Sequence, residues 1–124
     1  MEDQWQLLTD VKTVEPNSIE AHAFVPVSSL WFSGHFPGEP ILPGMALVHV
    51  VWQAIVREAG KRAEEITLTK LKRVRFTQPV RPGDHIAVLI TVIEEGSEST
   101  YSFKVVSGEN VICSGGIAAK KINK

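Results

Sequence analysis

A long run without charged side chains lies near the middle of this 124-residue chain, since no Asp, Glu, Lys or Arg occurs from residue 40 to residue 56. Pro43 and Gly44 interrupt the run, which leaves too few apolar residues for a membrane span of about 20 residues. We therefore predict a buried helix over Met45–Ala59, with Gly60 as its C-terminal cap. Because this helix is apolar on nearly every side, a sheet has to wrap around it, with help from a second subunit.

Short β-type segments flank the predicted helix, two before it and four after it. They are rich in apolar and β-branched residues and are separated by turn-type clusters. The segments are Val11–Val14, Ile19–Val25, Thr67–Val80, His85–Ile93, Ser99–Val106 and Val111–Ala119. In the last of them, Gly115 and Gly116 indicate a bulge or a close backbone approach. This order predicts an α+β fold, an antiparallel sheet wrapped around one central helix, in a single domain over residues 1–124.

Charge is distributed unevenly along a chain whose formal net charge is only −1. The segment 57–81 contains eight basic and three acidic side chains. It contains one aromatic residue, and the isoelectric point of 6.4 is not that of a typical nucleic-acid-binding protein. Two interpretations stay open: a solvated helix end and strand face, or a surface that docks an acidic protein partner. The side chains considered for docking are Arg57, Lys61, Arg62 and Arg75.

The single cysteine, Cys113, permits no internal disulfide and fits a reducing compartment. The acidic start of the chain is not followed by an apolar run, so we expect no secretory signal and a cytoplasmic location. We expect Cys113 to be a small buried residue, and His22 and His85 to lie on the surface without companions. No metal-ligand spacing or phosphate-binding loop occurs, so no metal or cofactor is expected.

Two polar side chains on the apolar helix are candidates for a functional site. His49 and Gln53 are four residues apart and therefore share one helix face. A buried imidazole or amide needs a partner, because an unpaired polar group costs about 1–3 kcal/mol. Two interpretations of the pair stay open. The two side chains are hydrogen-bonded core groups that fix the packing of the helix, or they belong to a functional site behind the preceding loop.

A third candidate, His35, lies in a segment where Gly and Pro are concentrated, between Gly34 and Gly44. Prolines fix the backbone there, and rigidly held loops often carry binding or catalytic groups. At the helix start, the Gly44 N–H and the helix dipole attract negative charge. A histidine, a helix N terminus and a polar helix pair are the components for abstracting a proton beside a carbonyl.

Residues 31–44 strongly resemble the active-site loop of the FabA/FabZ family of 3-hydroxyacyl-[acyl-carrier-protein] dehydratases. The loop of that family reads G-H-F-P-G-x-P-x-x-P-G, and every fixed position is present between Gly34 and Gly44. A second segment, Arg75–Asp84, resembles the R-F-x-x-P-V-x-P-G-D strand and turn of the family. Together with the strand order, the resemblance covers roughly residues 8–120.

The resemblance implies a hotdog fold and a homodimer whose active sites are shared between subunits, with hexamers in some members. It also implies loss of water from a 3-hydroxyacyl thioester of acyl carrier protein, giving the trans-2-enoyl thioester without metal or cofactor. By position, His35 is the catalytic histidine and the Gly44 amide polarises the thioester carbonyl. Gln53 matches a glutamine of the family, and Phe36 and Pro43 of the loop are assigned to substrate binding.

The chain departs from the family at the position fourteen residues after the catalytic histidine, where a Glu or Asp is expected and His49 stands. No carboxylate lies between Glu39 and Glu58, and Glu39, at a variable position of the loop, is the only local substitute. The leading hypothesis is a dehydratase-like enzyme of fatty-acid or related lipid or polyketide synthesis, acting on acyl-carrier-protein or CoA thioesters. In it, His35 is the base and His49 the acid or water-orienting group. The alternatives are a non-catalytic hotdog subunit, which binds acyl chains or partners a true dehydratase, and an acyl thioesterase.

Overall fold

The computed structural model describes residues 7–25, 44–81 and 83–122, and these ranges contain one helix and six strands. In chain order the elements are β1 Leu8–Glu15, β2 Ser18–Phe24, α1 Gly44–Lys61, β3 Ile66–Phe76, β4 His85–Glu95, β5 Glu98–Ser107 and β6 Asn110–Lys121. Every predicted strand overlaps an observed one, and the predicted helix lies within α1. The α+β order of the sequence analysis is therefore confirmed.

The six strands form one antiparallel sheet in the order β1-β2-β4-β5-β6-β3. The strands β2 and β4 are neighbours although α1 and β3 lie between them in the sequence. The chain therefore leaves the sheet after β2, forms the helix, adds β3 at the far edge and returns to the middle. Among the described residues, β1 and β3 are the two edge strands.

The core lies between α1 and one face of the sheet. Strand β5 shows why, since Tyr101, Phe103 and Val105 are buried while the alternating Ser102 and Lys104 are exposed. This period of two directs one face of the strand to the helix and the other to solvent. The buried helix residues are Ala46, Leu47, Val48, Val50, Val51, Ala54, Ile55, Glu58 and Ala59.

One stripe of the helix is not covered by the sheet of its own chain. Met45 and Val56 are 61% and 43% exposed, and His49 and Gln53 between them are half-buried. These positions recur every three or four residues and so follow one side of the helix. The sheet therefore covers the apolar helix on most of its sides, and the polar pair faces away from the core.

The predicted close approach at Gly115 is confirmed. A Cβ atom on Gly115 would lie 2.9 Å from the Cα atom of Val74 in β3, a distance that side chains do not adopt. The pairing of β3 with β6 shifts register at this point, between Lys72 and Arg75. Arg73, inside the bulge, has a φ of 48°, in the left-handed region that few residues other than glycine occupy.

The prediction that Gly60 caps the helix is wrong. The helix continues to Lys61, and Ala63 adopts the left-handed conformation with a φ of 57°. The Ala63 N–H donates to the Gly60 carbonyl and the Glu64 N–H to the Ala59 carbonyl, both at 3.0 Å, which is the Schellman pattern. The two extra residues are accompanied by a 2.8 Å hydrogen bond from Lys61 Nζ to the Val11 carbonyl of β1, a tertiary contact that helix propensity does not report.

None of the helical residues that the structure describes forms a stretch long and apolar enough to cross a membrane.

Exchanging the residue types at the helix end tests this cap. Ala63→Gly should raise the free energy of unfolding by about 1 kcal/mol, because glycine adopts the left-handed conformation without a Cβ penalty. Gly60→Ala should also raise it, by up to about 1 kcal/mol, because the position is helical and a Cβ there has open space. Urea denaturation of the two variants measures both effects, and a loss of stability in Gly60→Ala would contradict the cap at Ala63.

Candidate active site

The predicted loop residues His35, Phe36 and Pro43 lie outside the described residues, as does the whole segment 26–43. The structure does show how the chain is held on either side of this segment. Val25 is the last described residue before it, and Gly44 is the first after it.

The backbone before the segment 26–43 is held by the turn at the end of the motif Arg75–Asp84. The Val25 N–H donates to the Asp84 carbonyl at 3.0 Å, and the Gly83 N–H donates to the Val25 carbonyl at 2.6 Å. Gly83 has a φ of 90°, which glycine adopts readily. The Asp84 carboxylate accepts a 2.9 Å hydrogen bond from the Arg81 N–H and so closes the turn on itself. The turn therefore holds the backbone at the point where the segment begins.

The backbone after the segment 26–43 contacts the first part of the motif Arg75–Asp84. Gly44 is the first residue of α1 and lies against the aromatic ring of Phe76, at the end of β3. A Cβ on Gly44 would be 2.9 Å from both Cε1 and Cζ of that ring. Only glycine allows the helix start to approach the ring this closely. The two motifs that resemble the dehydratase family, about 30 residues apart in sequence, are thus in contact in space.

A cavity of about 560 Å³ opens at this contact. Its lining consists mainly of apolar side chains from the first turn of α1 and from the segment that follows β3: Gly44, Met45, Leu47, Phe76, Thr77, Gln78, Pro79 and Val80. No acidic side chain lies in the first turn of the helix, and the first amide groups of any helix have no intrahelical acceptor. The cavity therefore combines an apolar wall with hydrogen-bond donors suited to an oxygen that carries negative charge.

His49 and Gln53 lie on the stripe of α1 that the sheet leaves uncovered. Both side chains are half-buried and each engages in a polar or ring interaction. Gln53 lines a second cavity, of about 450 Å³, together with Trp52, Val56 and Arg57. The structure thus places His49 and Gln53 on one helix face, as predicted, and brings Gln53 to a cavity.

The nearest helical carboxylate, Glu58, is in no position to replace the missing acid. It lies nine residues after His49, which places it on the opposite side of the helix and about 13.5 Å along the axis. It is 7% exposed and forms a 2.9 Å ion pair with Arg62. The Arg62 guanidinium also interacts with the Tyr101 phenol, whose pKa is raised mainly by burial. This cluster is not among the predicted features, although the i,i+4 spacing of Glu58 and Arg62 signals such a pair.

Two of the four basic residues considered for docking have partners within the chain. Lys61 donates to a β1 carbonyl, as described above, and Arg62 pairs with Glu58 and, at 3.6 Å, with Glu64. Arg57, on α1, and Arg75, on β3, are exposed, as are Lys61 and Arg62. Docking of an acidic partner by these residues stays a prediction.

The remaining candidates are structural. His22 is on the surface, but the prediction that it lacks companions is wrong, because the β1–β2 register places Asp10 3.3 Å from its Nδ1 atom. That hydrogen bond lowers the pKa of the Asp10 carboxyl. His85 is exposed and lies against the Phe24 ring, with ring centroids 4.7 Å apart. Cys113 is buried as expected, and burial raises the pKa of its thiol to about 11, so it is a poor nucleophile at neutral pH.

Across residues 7–25, 44–81 and 83–122, no three His, Cys, Asp or Glu side chains converge in a way that suits a metal ion.

Comparison with known proteins identifies the family. The family model described as ApeI-like, ApeI dehydratase, matches residues 11–117. A 3-hydroxyacyl-[acyl-carrier-protein] dehydratase FabZ from Levilactobacillus brevis is 30% identical over 102 residues, which cover 78% of this chain and 69% of the relative. In a second FabZ dehydratase, from Syntrophobacter fumaroxidans, 33% identity over 75 residues covers only 51% of the relative.

Two solved structures share the fold at low sequence identity. The dehydratase heterocomplex ApeI:P from Xenorhabdus doucetiae matches with a TM-score of 0.75 and 18% identity, covering 100% of this chain and 88% of the other. The F36A mutant of the fluoroacetyl-CoA-specific thioesterase FlK matches with a TM-score of 0.71 and 18% identity, covering 90% of each chain. The predicted hotdog fold is thereby confirmed.

The contact between Gly44 and Phe76 can be tested with a double-mutant cycle. Gly44→Ala should lower the free energy of unfolding by about 1–3 kcal/mol, because the added methyl group overlaps the ring. In a Phe76→Ala background the same change should cost almost nothing, since the overlapping atoms are gone. Gly60→Ala is the matched control, a helical glycine with open space. Additive effects of Gly44→Ala and Phe76→Ala would show that the two residues are not in contact.

Proposed function

Because this chain belongs to the family of ApeI-like dehydratases, we propose that it removes water from 3-hydroxyacyl thioesters of acyl carrier protein or CoA. The product is the trans-2-enoyl thioester, in fatty-acid or related lipid or polyketide synthesis. The observation that carries the proposal is the convergence of the two family motifs, in which Gly44 packs on Phe76 and Val25 is bound by Gly83 and Asp84. This arrangement holds the chain on both sides of the segment that contains His35.

The proposed chemistry divides the elimination between two groups. His35 removes a proton from C2, and the negative charge that develops on the thioester oxygen is stabilised by the Gly44 N–H at the helix start. The C2–C3 double bond forms as the hydroxyl leaves C3 with a second proton, as water. His49 supplies that proton as the acid, or it orients the departing water while the protonated His35 returns the proton that it took from C2. Gln53 and the loop residues Phe36 and Pro43 contact the substrate.

The histidine at position 49 sets the expected rate. An imidazolium can donate the proton that the leaving hydroxyl needs, whereas a neutral imidazole holds the hydroxyl by a hydrogen bond only. The loss of an efficient general acid typically slows a reaction about 10²–10⁴-fold. We therefore propose a dehydratase that is slower than one with a carboxylate at this position.

A second candidate function is a hotdog subunit without its own turnover that assembles with an active dehydratase. The replacement of the carboxylate by His49 favours it, and the fold is shared with a protein described as a dehydratase heterocomplex. Hydrolysis of the thioester is a third candidate, supported by the fold shared with a CoA-specific thioesterase.

We further propose a single cytoplasmic domain that forms a homodimer through β3 and the uncovered stripe of α1. In the part of the chain that the structure describes, β3 pairs only with β6, so its other edge is available to a second copy. Five large apolar side chains near this edge are 39–61% exposed: Met45, Val56, Leu68, Leu71 and Phe76. Burying them between two copies removes apolar surface from water and covers the face that carries His49 and Gln53.

A coupled assay of dehydration and hydration tests the proposed reaction. Wild-type protein should interconvert 3-hydroxyacyl and enoyl thioesters, His35→Ala should lower the rate at least 100-fold, and His49→Glu should raise it. His22→Ala, a surface histidine on β2, is the matched control and should leave the rate unchanged.

Three outcomes of this assay separate the candidates. Turnover that survives His35→Ala contradicts the proposal. Activity that appears only in His49→Glu or after mixing with a second hotdog protein supports the partner subunit. Release of free thiol from the thioester, with no enoyl product, supports hydrolysis.

The proposed dimer is tested by light scattering during gel filtration. Wild-type protein should have twice the 13.7 kDa mass of one chain, and Leu71→Lys should reduce it to that of a monomer, because a charge is placed in the interface. Leu89→Lys is the control, since Leu89 is exposed to a similar extent, 42% against 39%, on the other face of the sheet. A monomeric wild type, or a dimer that Leu71→Lys leaves intact, rejects this interface.

A further inference from the structure

The face of the sheet that points away from α1 carries a groove of about 460 Å³ with a cationic lining. Four basic side chains surround it: Lys72, Arg73, Arg75 and Lys104. Short polar residues, among them Thr100, Ser102 and Ser114, complete the lining, and none of the lining side chains is acidic. The groove is separated from the helix by the sheet itself.

The strand register explains why a groove forms here. Ser114, in β6, is paired on one side with Lys104 of β5 and on the other with Arg75 of β3. A short residue on the middle strand thus lies between two long cationic side chains on the flanking strands. In the next row, Gly116 has no side chain, and Lys72 extends across to donate a 3.3 Å hydrogen bond to Thr100 Oγ1. The hydrogen bond between Lys72 and Thr100 closes one end of the groove, and Ser114 forms the floor of the groove.

The bulge in β3 gathers the charges on one face. In a regular strand Lys72 and Arg75, three positions apart, would point to opposite faces. The register shift pairs them with Gly116 and Ser114, which are two positions apart and share a face. The left-handed Arg73 lies inside the bulge and adds a further cation to the lining. The chain therefore adopts an uncommon backbone conformation at the place where like charges are brought together.

Like charges that line one groove repel one another, and a bound anion relieves that repulsion. Within residues 7–25, 44–81 and 83–122, none of the ion pairs found includes Lys72, Arg73, Arg75 or Lys104. Guanidinium groups, ammonium groups and hydroxyl donors are the side chains that bind phosphate oxygens. We propose that this groove binds a phosphate-bearing small molecule, with Arg75 and Lys104 on either side of the phosphate and Ser114 beneath it.

The width of the groove favours a small anion over a macromolecule. Its walls are β3 and β5, which are two strand spacings apart, or about 10 Å between backbones. An α-helix with its side chains is about 10–12 Å across and does not fit between walls that themselves carry long side chains. A phosphate or diphosphate group does fit. The inference does not depend on the proposed dehydration, because the groove and the helix lie on opposite faces of the sheet.

Titration calorimetry of the full chain with inorganic pyrophosphate, at constant ionic strength, tests the site. We expect saturable binding of one pyrophosphate per chain, weakened at least fivefold by Arg75→Gln and by Lys104→Gln. Ser114→Val should weaken it similarly without a change in charge, because the larger side chain fills the floor. Lys120→Gln is the control: it lies on the same strand as Ser114, six residues or about 20 Å away, and should bind as wild type does.

Absence of saturable binding, or equal affinity in the wild type and the three groove variants, overturns the proposal. So does binding of an acidic protein or a nucleic acid without binding of pyrophosphate. Titrations with coenzyme A and with 4′-phosphopantetheine identify the source of the phosphate, a soluble nucleotide or the arm of a carrier protein. All variants are at exposed or half-buried positions, and circular dichroism checks that they are folded. Unchanged thioester turnover in the groove variants separates this result from the fate of the proposed reaction.

Discussion

The packing of the Gly44 backbone on the Phe76 ring is the contact on which the proposed site depends. It fixes where α1 begins and therefore where the helix presents its first amide groups and His49. The same motif that supplies Phe76 continues into the turn that binds Val25. One stretch of chain after β3 thus holds the backbone on both sides of the segment that contains the proposed base, His35.

Much of the fold follows from the sequence because the strongest signals are local. A run without charges indicates a buried helix, and alternating apolar residues between turn clusters indicate strands. The predicted helix end is wrong because a glycine near the end of an apolar run carries no information about tertiary contacts. In the structure, Lys61 binds a carbonyl of β1, and the left-handed conformation falls on Ala63.

Features that depend on which residues pair across the sheet could not be predicted from the sequence. The proximity of Asp10 and His22 depends on the register of β1 and β2, and the cationic groove depends on a bulge that turns Lys72 and Arg75 to one face. If β3 were a regular strand, its period of two would place Lys72 and Arg75 on opposite faces of the sheet. His49 and Gln53 share one helix face, as predicted, since helical spacing alone relates them.

The central claim is that the segment held by these contacts carries a base that removes the C2 proton, whatever His49 contributes afterwards. Exchange of the C2 proton of a 3-hydroxyacyl thioester in D₂O, followed by mass spectrometry, measures removal of that proton, whether the deuteron returns directly or through hydration of the enoyl product. The account predicts deuterium incorporation with wild-type protein and with His49→Ala, and none above background with His35→Ala. No exchange with wild type, or exchange that persists in His35→Ala, would contradict it.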